Sequence, residues 1–158
     1  MSRVHSTDDA VLGEVEIDAP PERVFEALIT PSQLKQWWFE PAVAPCYAWE
    51  IDLRVGGLWR AEWRGADKTY VANGKVLELE APRVFAYSWS GDWVEHKDTV
   101  VRWELKAVAG GTHLKLSHSG LRKYKAALAD LSQGWPGVLD KINAYVMQRA
   151  AEKSKTAV

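Results

Sequence analysis

Cysteine occurs once, at Cys46, so the chain can form neither an internal disulfide nor a multi-cysteine zinc site. An excess of one charge is also missing. Lys and Arg number 20 against 21 Asp and Glu, a net charge of −1, which gives no electrostatic case for binding nucleic acid or an anionic membrane. No apolar run reaches the ~18 residues of a membrane span. The N-terminus, MSRVHSTDDA, lacks the apolar core of a signal peptide. These absences lead us to expect a cytoplasmic protein without a membrane partner. The four histidines are scattered, with no i, i+4 pair and no His-x-x-x-Glu cluster, so neither a metal nor another cofactor is expected. Cys46 has no obvious base beside it and reads as a buried, inert thiol. Ser88, Ser117 and Ser119 lie in no nucleophile-elbow motif. Repeats, low-complexity tracts and long linkers are absent as well. The expected organisation is a flexible start (1–10), a single domain (11–150) and a flexible tail (151–158).

Tryptophan is what the chain has in excess: nine in 158 residues, against three Phe. Trp is large and flat and carries one N–H donor. Nine such rings can fill a core or line a cavity.

Val11, Gly13, Val15 and Ile17 alternate with Leu12, Glu14, Glu16 and Asp18, which predicts a first strand. Pro21 suits a helix start, and Val24, Phe25, Leu28 and Ile29 follow at helical spacing. Thr30, Pro31 and Gln33 read as the capping box of a second short helix, with Leu34, Trp37 and Trp38 on its apolar side. From Pro41 to Ser119 the period changes to two. Tyr47, Trp49, Ile51 and Leu53 share one phase. So do Trp59, Ala61 and Trp63; Leu77 and Leu79; Phe85, Tyr87 and Trp89; Thr99, Val101, Trp103 and Leu105; and Leu114, Leu116 and His118. The acidic residues Glu50, Asp52, Glu62, Glu78, Glu80 and Glu104 fall mostly on the other phase, facing Arg54, Arg60, Arg64, Arg102 and Lys106. That is a solvated, charged sheet face. The chain ends in helix. Leu121, Tyr124, Leu128 and Leu131 suggest a short piece. Gly134 and Pro136 break or kink it, and Trp135, Val138, Leu139, Ile142, Tyr145 and Val146 mark a longer one. The fold class predicted is α+β: a curved antiparallel sheet of about six or seven strands gripping a long C-terminal helix, with two short helices after the first strand.

Four segments resemble the START-like superfamily, also called SRPBCC, polyketide cyclase-like or helix-grip. They are Ile17 through Phe25 with Leu28 to Trp38; Arg54-Val55-Gly56-Gly57-Leu58-Trp59; Gly74 through Trp89; and His118-Ser119-Gly120-Leu121 with Gly134, Trp135 and Leu139. Within that superfamily the chain is similar to the small bacterial members of the activator of heat-shock-protein-90 ATPase homologue family. Pro136 departs from the usual uninterrupted last helix. Such folds host ligand carriers, cyclases, hydroxylase subunits and co-chaperones.

Trp49, Trp59, Trp63, Tyr87, Trp89, Trp103, His118, Trp135 and Leu139 are the candidate ligand-binding residues. They face inward, toward the space between sheet and last helix. Plain core packing is the simpler account of most of the Trp set, at roughly 1.5–3 kcal/mol per buried large apolar side chain. His118 can hold a ligand carbonyl or hydroxyl, or merely fasten a strand end. His5, His96 and His113 read as surface residues. Trp93, in a charged loop, either packs on its own hairpin or forms the rim of the cavity. The partner expected is a small hydrophobic or aromatic ligand, and the chain a monomer or homodimer. Two other functions follow from the resemblance. One is an aromatase/cyclase-type enzyme with His118 as acid or base and Tyr87 as helper. The other is a chaperone-regulating interaction module, which an exposed patch of Trp37, Trp38 and Trp93 would favour.

Overall fold

The computed structural model describes residues 2–40 and 44–156, with side chains as far as Glu152. Pro41, where the period-two reading begins, lies outside these residues, as do the last two of the tail. The element order is β1 (Arg3–Ser6), β2 (Val11–Ile17), α1 (Pro21–Ile29), α2 (Pro31–Trp37), β3 (Cys46–Ile51), β4 (Leu58–Arg64), β5 (Thr69–Glu80), β6 (Val84–Gly91), β7 (Thr99–Val108), β8 (Gly111–Ser119) and α3 (Lys125–Thr156). The eight strands form one antiparallel sheet in the order β1-β2-β8-β7-β6-β5-β4-β3. The first predicted strand, β2, therefore closes the meander by pairing with the last, Val15 opposite Leu114. The α+β reading holds. The eighth strand is β1, which lies in the segment expected to fray and pairs Arg3 with Glu14 through Ser6 with Val11.

One face of this sheet packs against α1, α2 and α3. The alternation places Val11, Val15, Ile17, Trp63, Val101, Trp103, Leu114 and Leu116 in that core, all almost fully buried. The opposite face is charged as expected. Arg102 binds Glu78 (Nε to Oε2, 2.7 Å) and Glu104, and Arg64 binds Glu62 at 2.9 Å.

The structure departs from the period-two reading at two bulges. A register shift between Cys46 and Ala48 turns Tyr47 outward, where the Arg64 guanidinium sits 3.3 Å from its ring centroid. A second shift between Val76 and Glu78 buries Val76 and exposes Leu77. One inserted residue reverses the facing of everything before or after it. Leu53 falls beyond the end of β3 and is also exposed.

The helices differ from expectation at their ends. Thr30 makes no side-chain cap. The Gln33 amide instead donates to Glu26 Oε1 at 2.6 Å, tying α2 back to α1. At the other end of the chain, α3 is a single helix of 32 residues that runs through Pro136. An interior proline costs a helix ~3 kcal/mol. Burial of Trp135, Val138, Leu139, Ile142 and Val146 against the sheet offsets it. Two helical pieces thus become one.

Candidate functional site

All nine tryptophans join one unbroken network of ring contacts. Trp37 stacks on Trp38 (5.2 Å between centroids), Trp38 meets Trp49 (5.3 Å), and Trp49 stacks on Trp59 (5.7 Å) and meets Trp63 (5.6 Å) edge-on. Trp63 continues to Trp93 and Trp93 to Trp89. Trp38 also reaches Trp103 and Trp135. The middle of the domain is therefore solid. Trp49, Trp59, Trp63, Trp103, Tyr87 and Leu139, all candidate ligand residues, are buried core side chains that do not line the cleft beneath α3.

Four indole N–H groups find partners that strand phase alone does not reveal, while that of Trp49 has none among the described residues. Trp37 donates to Ala27 O (3.0 Å), Trp59 to Ser88 O (2.9 Å) and Trp63 to Trp38 O (3.0 Å). Trp103 donates to the Tyr87 hydroxyl at 3.1 Å. Burial pushes the Tyr87 phenol well above its ordinary range, so it stays protonated as a structural group.

The opening is a cleft of about 580 Å³ where the first half of α3 crosses the strand ends of β6 and β8. The helix contributes Ala127, Asp130, Leu131, Gly134, Trp135 and Val138. Across from it stand Trp89 and His118 from the strands, Trp93, Val94, Glu95 and His96 from the β6–β7 loop, and Trp38 and Glu40 from just beyond α2. Of the candidate ligand residues, the structure brings Trp89, His118 and Trp135 together here. Trp93 does both things considered for it: it packs edge-on against Trp63, Tyr70 and Trp89, and it forms part of the rim.

His118 sits at the back of the cleft with both ring nitrogens used. The Trp135 indole donates to Nδ1 at 3.1 Å, so the proton of the neutral ring is on Nε2. Nε2–H donates to Thr99 Oγ1 at 2.7 Å, and the Thr99 hydroxyl in turn donates to the Trp89 carbonyl at 3.2 Å. Burial, then the neighbouring His96, lower the His118 pKa to about 3. The imidazole is a neutral structural link.

His96, read from sequence as a surface residue, is 1% exposed. Its ring stacks on Trp89, with centroids 5.3 Å apart and planes 15° from parallel, and lies 5.7 Å from His118. Neither nitrogen has a hydrogen-bond partner among the described residues. Burial and the positive charge of Lys97 lower its pKa, so it is neutral at pH 7. Glu40 is the other residue that sequence reasoning missed. Desolvation raises its carboxyl to about 7, and Trp38 and Lys141 only partly counter this. The Trp38 N–H beside it makes no hydrogen bond of normal geometry. The signal for His96 was weak: one His among the charged residues of Ser90 to Asp98, preceded by the apolar pair Trp93 and Val94.

Other expectations can be placed as well. Cys46 is buried, and burial pushes its thiol up to about 11, which keeps it protonated and inert. No group of three metal-ligating side chains exists among the described residues. No helix among them is long and apolar enough to cross a membrane. Trp37 and Trp38 are buried and Trp93 is half-buried, so they form no exposed apolar patch.

Residues 18–147 match the family model of the activator of Hsp90 ATPase homolog 1-like proteins. The chain belongs to this family. Solved bacterial structures share the fold of this AHSA1-like domain. A protein from Rhodobacter sphaeroides superposes with a TM-score of 0.80 at 22% identity, over 96% of this chain and 99% of that one. The AHSA1-like protein from Aeromonas hydrophila gives 0.77 at 20% identity, over 89% and 94%. CalU16 from Micromonospora echinospora gives 0.68 at 21% identity, over 99% and 95%. No curated protein matches the chain.

Proposed function

We propose that this AHSA1-like domain binds a small, mainly aromatic molecule in the cleft beneath the first half of α3. The observation that carries the reading is an opening of about 580 Å³ walled by Trp89, Trp93 and Trp135, beside the unpaired nitrogens of His96. A pocket of this size with apolar walls and a few convergent polar groups suits a small metabolite. The guest enters at the edge of the Trp network rather than through its middle. Binding, not turnover, is favoured because His118 and Tyr87, the acid–base pair of the cyclase reading, are both committed to structural hydrogen bonds. The patch of Trp37, Trp38 and Trp93 that would favour a chaperone-regulating role is not exposed. The proposed site of action is the cytoplasm.

The test is a blocked cleft. A Cβ added at Gly134 meets nothing within 4 Å, so Gly134→Phe has room to fill the opening without straining the helix. Uncharged aromatic compounds should quench the tryptophan emission of the wild type and raise its thermal midpoint, and do neither in Gly134→Phe. Compounds that act equally on both proteins, or a panel that acts on neither, would remove the proposal.

A further inference from the structure

We infer that the guest of this cleft is an uncharged aromatic molecule carrying a hydroxyl, and that His96 is the side chain that holds the hydroxyl. The inference rests on the binding reading above and narrows it to a ligand class.

The first argument is the state of the two histidines. They lie 5.7 Å apart on the same wall, but only one is spoken for. His118 has Trp135 on one nitrogen and Thr99 on the other. His96 is equally buried and has nothing on either among the described residues. A buried polar atom left unpaired costs ~1–3 kcal/mol, so an unpaired imidazole inside a cleft wall is a strong reason to expect a partner from outside the chain. The stack on Trp89 holds the ring plane; both nitrogens are covered in the structure, so a guest reaches one of them as the loop that carries His96 shifts.

The second argument is complementarity. A neutral imidazole offers one donor and one acceptor. A hydroxyl offers the same pair, and so can satisfy it whichever nitrogen it reaches. The Trp38 N–H lies beside Glu40 on the same wall and is left to that carboxyl.

The third argument is charge. The ionisable side chains that line the cleft, apart from the two neutral histidines, are Glu40, Glu95 and Asp130; no Lys or Arg lines it among the described residues. Lys97 and Lys141 point to other partners. Lys97 donates to the carbonyls of Gly91 and Val94, and the Lys141 ammonium lies 5.1 Å from the centroid of the Phe39 ring. A carboxylate or phosphate guest would enter against Glu95 and Asp130, with Glu40 beside it and no Lys or Arg in the lining to receive it. Trp89, Trp93 and Trp135 supply what remains, an aromatic lining against which a ring can pack.

A set of isosteric probes tests this directly. Naphthalene, 2-naphthol, 2-naphthoate and 2-naphthylmethylamine share one ring system and differ in the polar group. Their dissociation constants are measured by tryptophan quenching for the wild type and for His96→Phe, which keeps a flat ring beside Trp89 and removes both nitrogens. We expect 2-naphthol to bind the wild type about tenfold more tightly than naphthalene, the equivalent of one good hydrogen bond. In His96→Phe that advantage should vanish while naphthalene still binds. 2-Naphthoate should bind most weakly. Equal affinity for naphthol and naphthalene in the wild type overturns the assignment and leaves the cleft as a purely apolar site. Tightest binding by the naphthoate or the ammonium compound overturns it in favour of a charged guest. If none of the four binds, the binding reading itself fails and this inference with it. A naphthol advantage that persists in His96→Phe, or in His96→Gln where the phenylalanine variant does not fold, overturns the assignment to His96.

Discussion

Trp135 and His118 meet nitrogen to nitrogen, indole Nε1 to imidazole Nδ1, at 3.1 Å. Because an indole can only donate, this one bond ties α3 to β8 and also dictates which imidazole nitrogen carries the proton. Everything downstream, the Nε2–H to Thr99 and the Thr99 hydroxyl to the Trp89 carbonyl, follows in a single direction.

Thr99→Val keeps the shape of the side chain and removes the acceptor for His118 Nε2–H. We expect a loss of ~1–3 kcal/mol, read as a lower urea midpoint at unchanged slope. Trp135→Phe, which strips the donor from the other side of the ring, should cost a similar amount. The double variant should lose less than the sum, because both changes act on one imidazole. Strict additivity would mean the chain of bonds does not act as a unit.

Stability should depend on pH in two opposing ways. His118 is held near 3, below its ordinary 6.5, so between those values the unfolded chain binds the extra proton. Its contribution is fully present above pH 6.5 and is lost as pH falls toward 3. Glu40 is raised to about 7 from 4.5, so between pH 4.5 and 7 the folded chain binds the extra proton. That contribution is fully present below pH 4.5 and lost as pH rises through 7. Denaturant titrations of the wild type and Glu40→Gln separate them: the stability of the wild type relative to the variant should fall from pH 4.5 to pH 7. A flat difference would refute a buried carboxyl at this position.

Gly134 and Gly137 occupy interior turns of α3, and an added Cβ meets nothing within 4 Å at either. Alanine at each should raise stability by ~0.5–1 kcal/mol through reduced freedom of the unfolded chain. A fall in the thermal midpoint would show that one of them supplies slack the helix needs beside Pro136.

Gly74 is the opposite case. A Cβ there would lie 1.8 Å from the Ser88 carbonyl oxygen and 2.7 Å from Trp59 Nε1, which itself donates to that oxygen. Gly74→Ala must displace either the β6 backbone or the indole. We expect a loss of about 3 kcal/mol, checked by urea denaturation, and a variant as stable as the wild type would contradict the close approach.

Alternation made the strands legible from β2 to β8, and with them the charged outer face, because a one-sided sheet must repeat every two residues. It failed at Tyr47 and Leu77 because a bulge inserts one residue and leaves the composition of the strand unchanged. The proline rule split α3 in two because it weighs a local cost without the tertiary burial that offsets it. The indoles were read correctly as inward, but three of them donate to backbone carbonyls, in α1, just beyond α2 and in β6, so the need for a hollow was overstated. His96 was hidden for a different reason. Its neighbours Glu95, Lys97 and Asp98 are those of a solvated loop, and only the fold lays the ring against Trp89. Glu40 follows a short helix and carries no pattern at all.

The unbroken run of indoles has an optical consequence. Rings separated by 5–6 Å exchange excitation faster than they emit, so light absorbed by any tryptophan wanders through all nine before it leaves. A visitor that darkens the single ring it touches will drain the glow of the entire set.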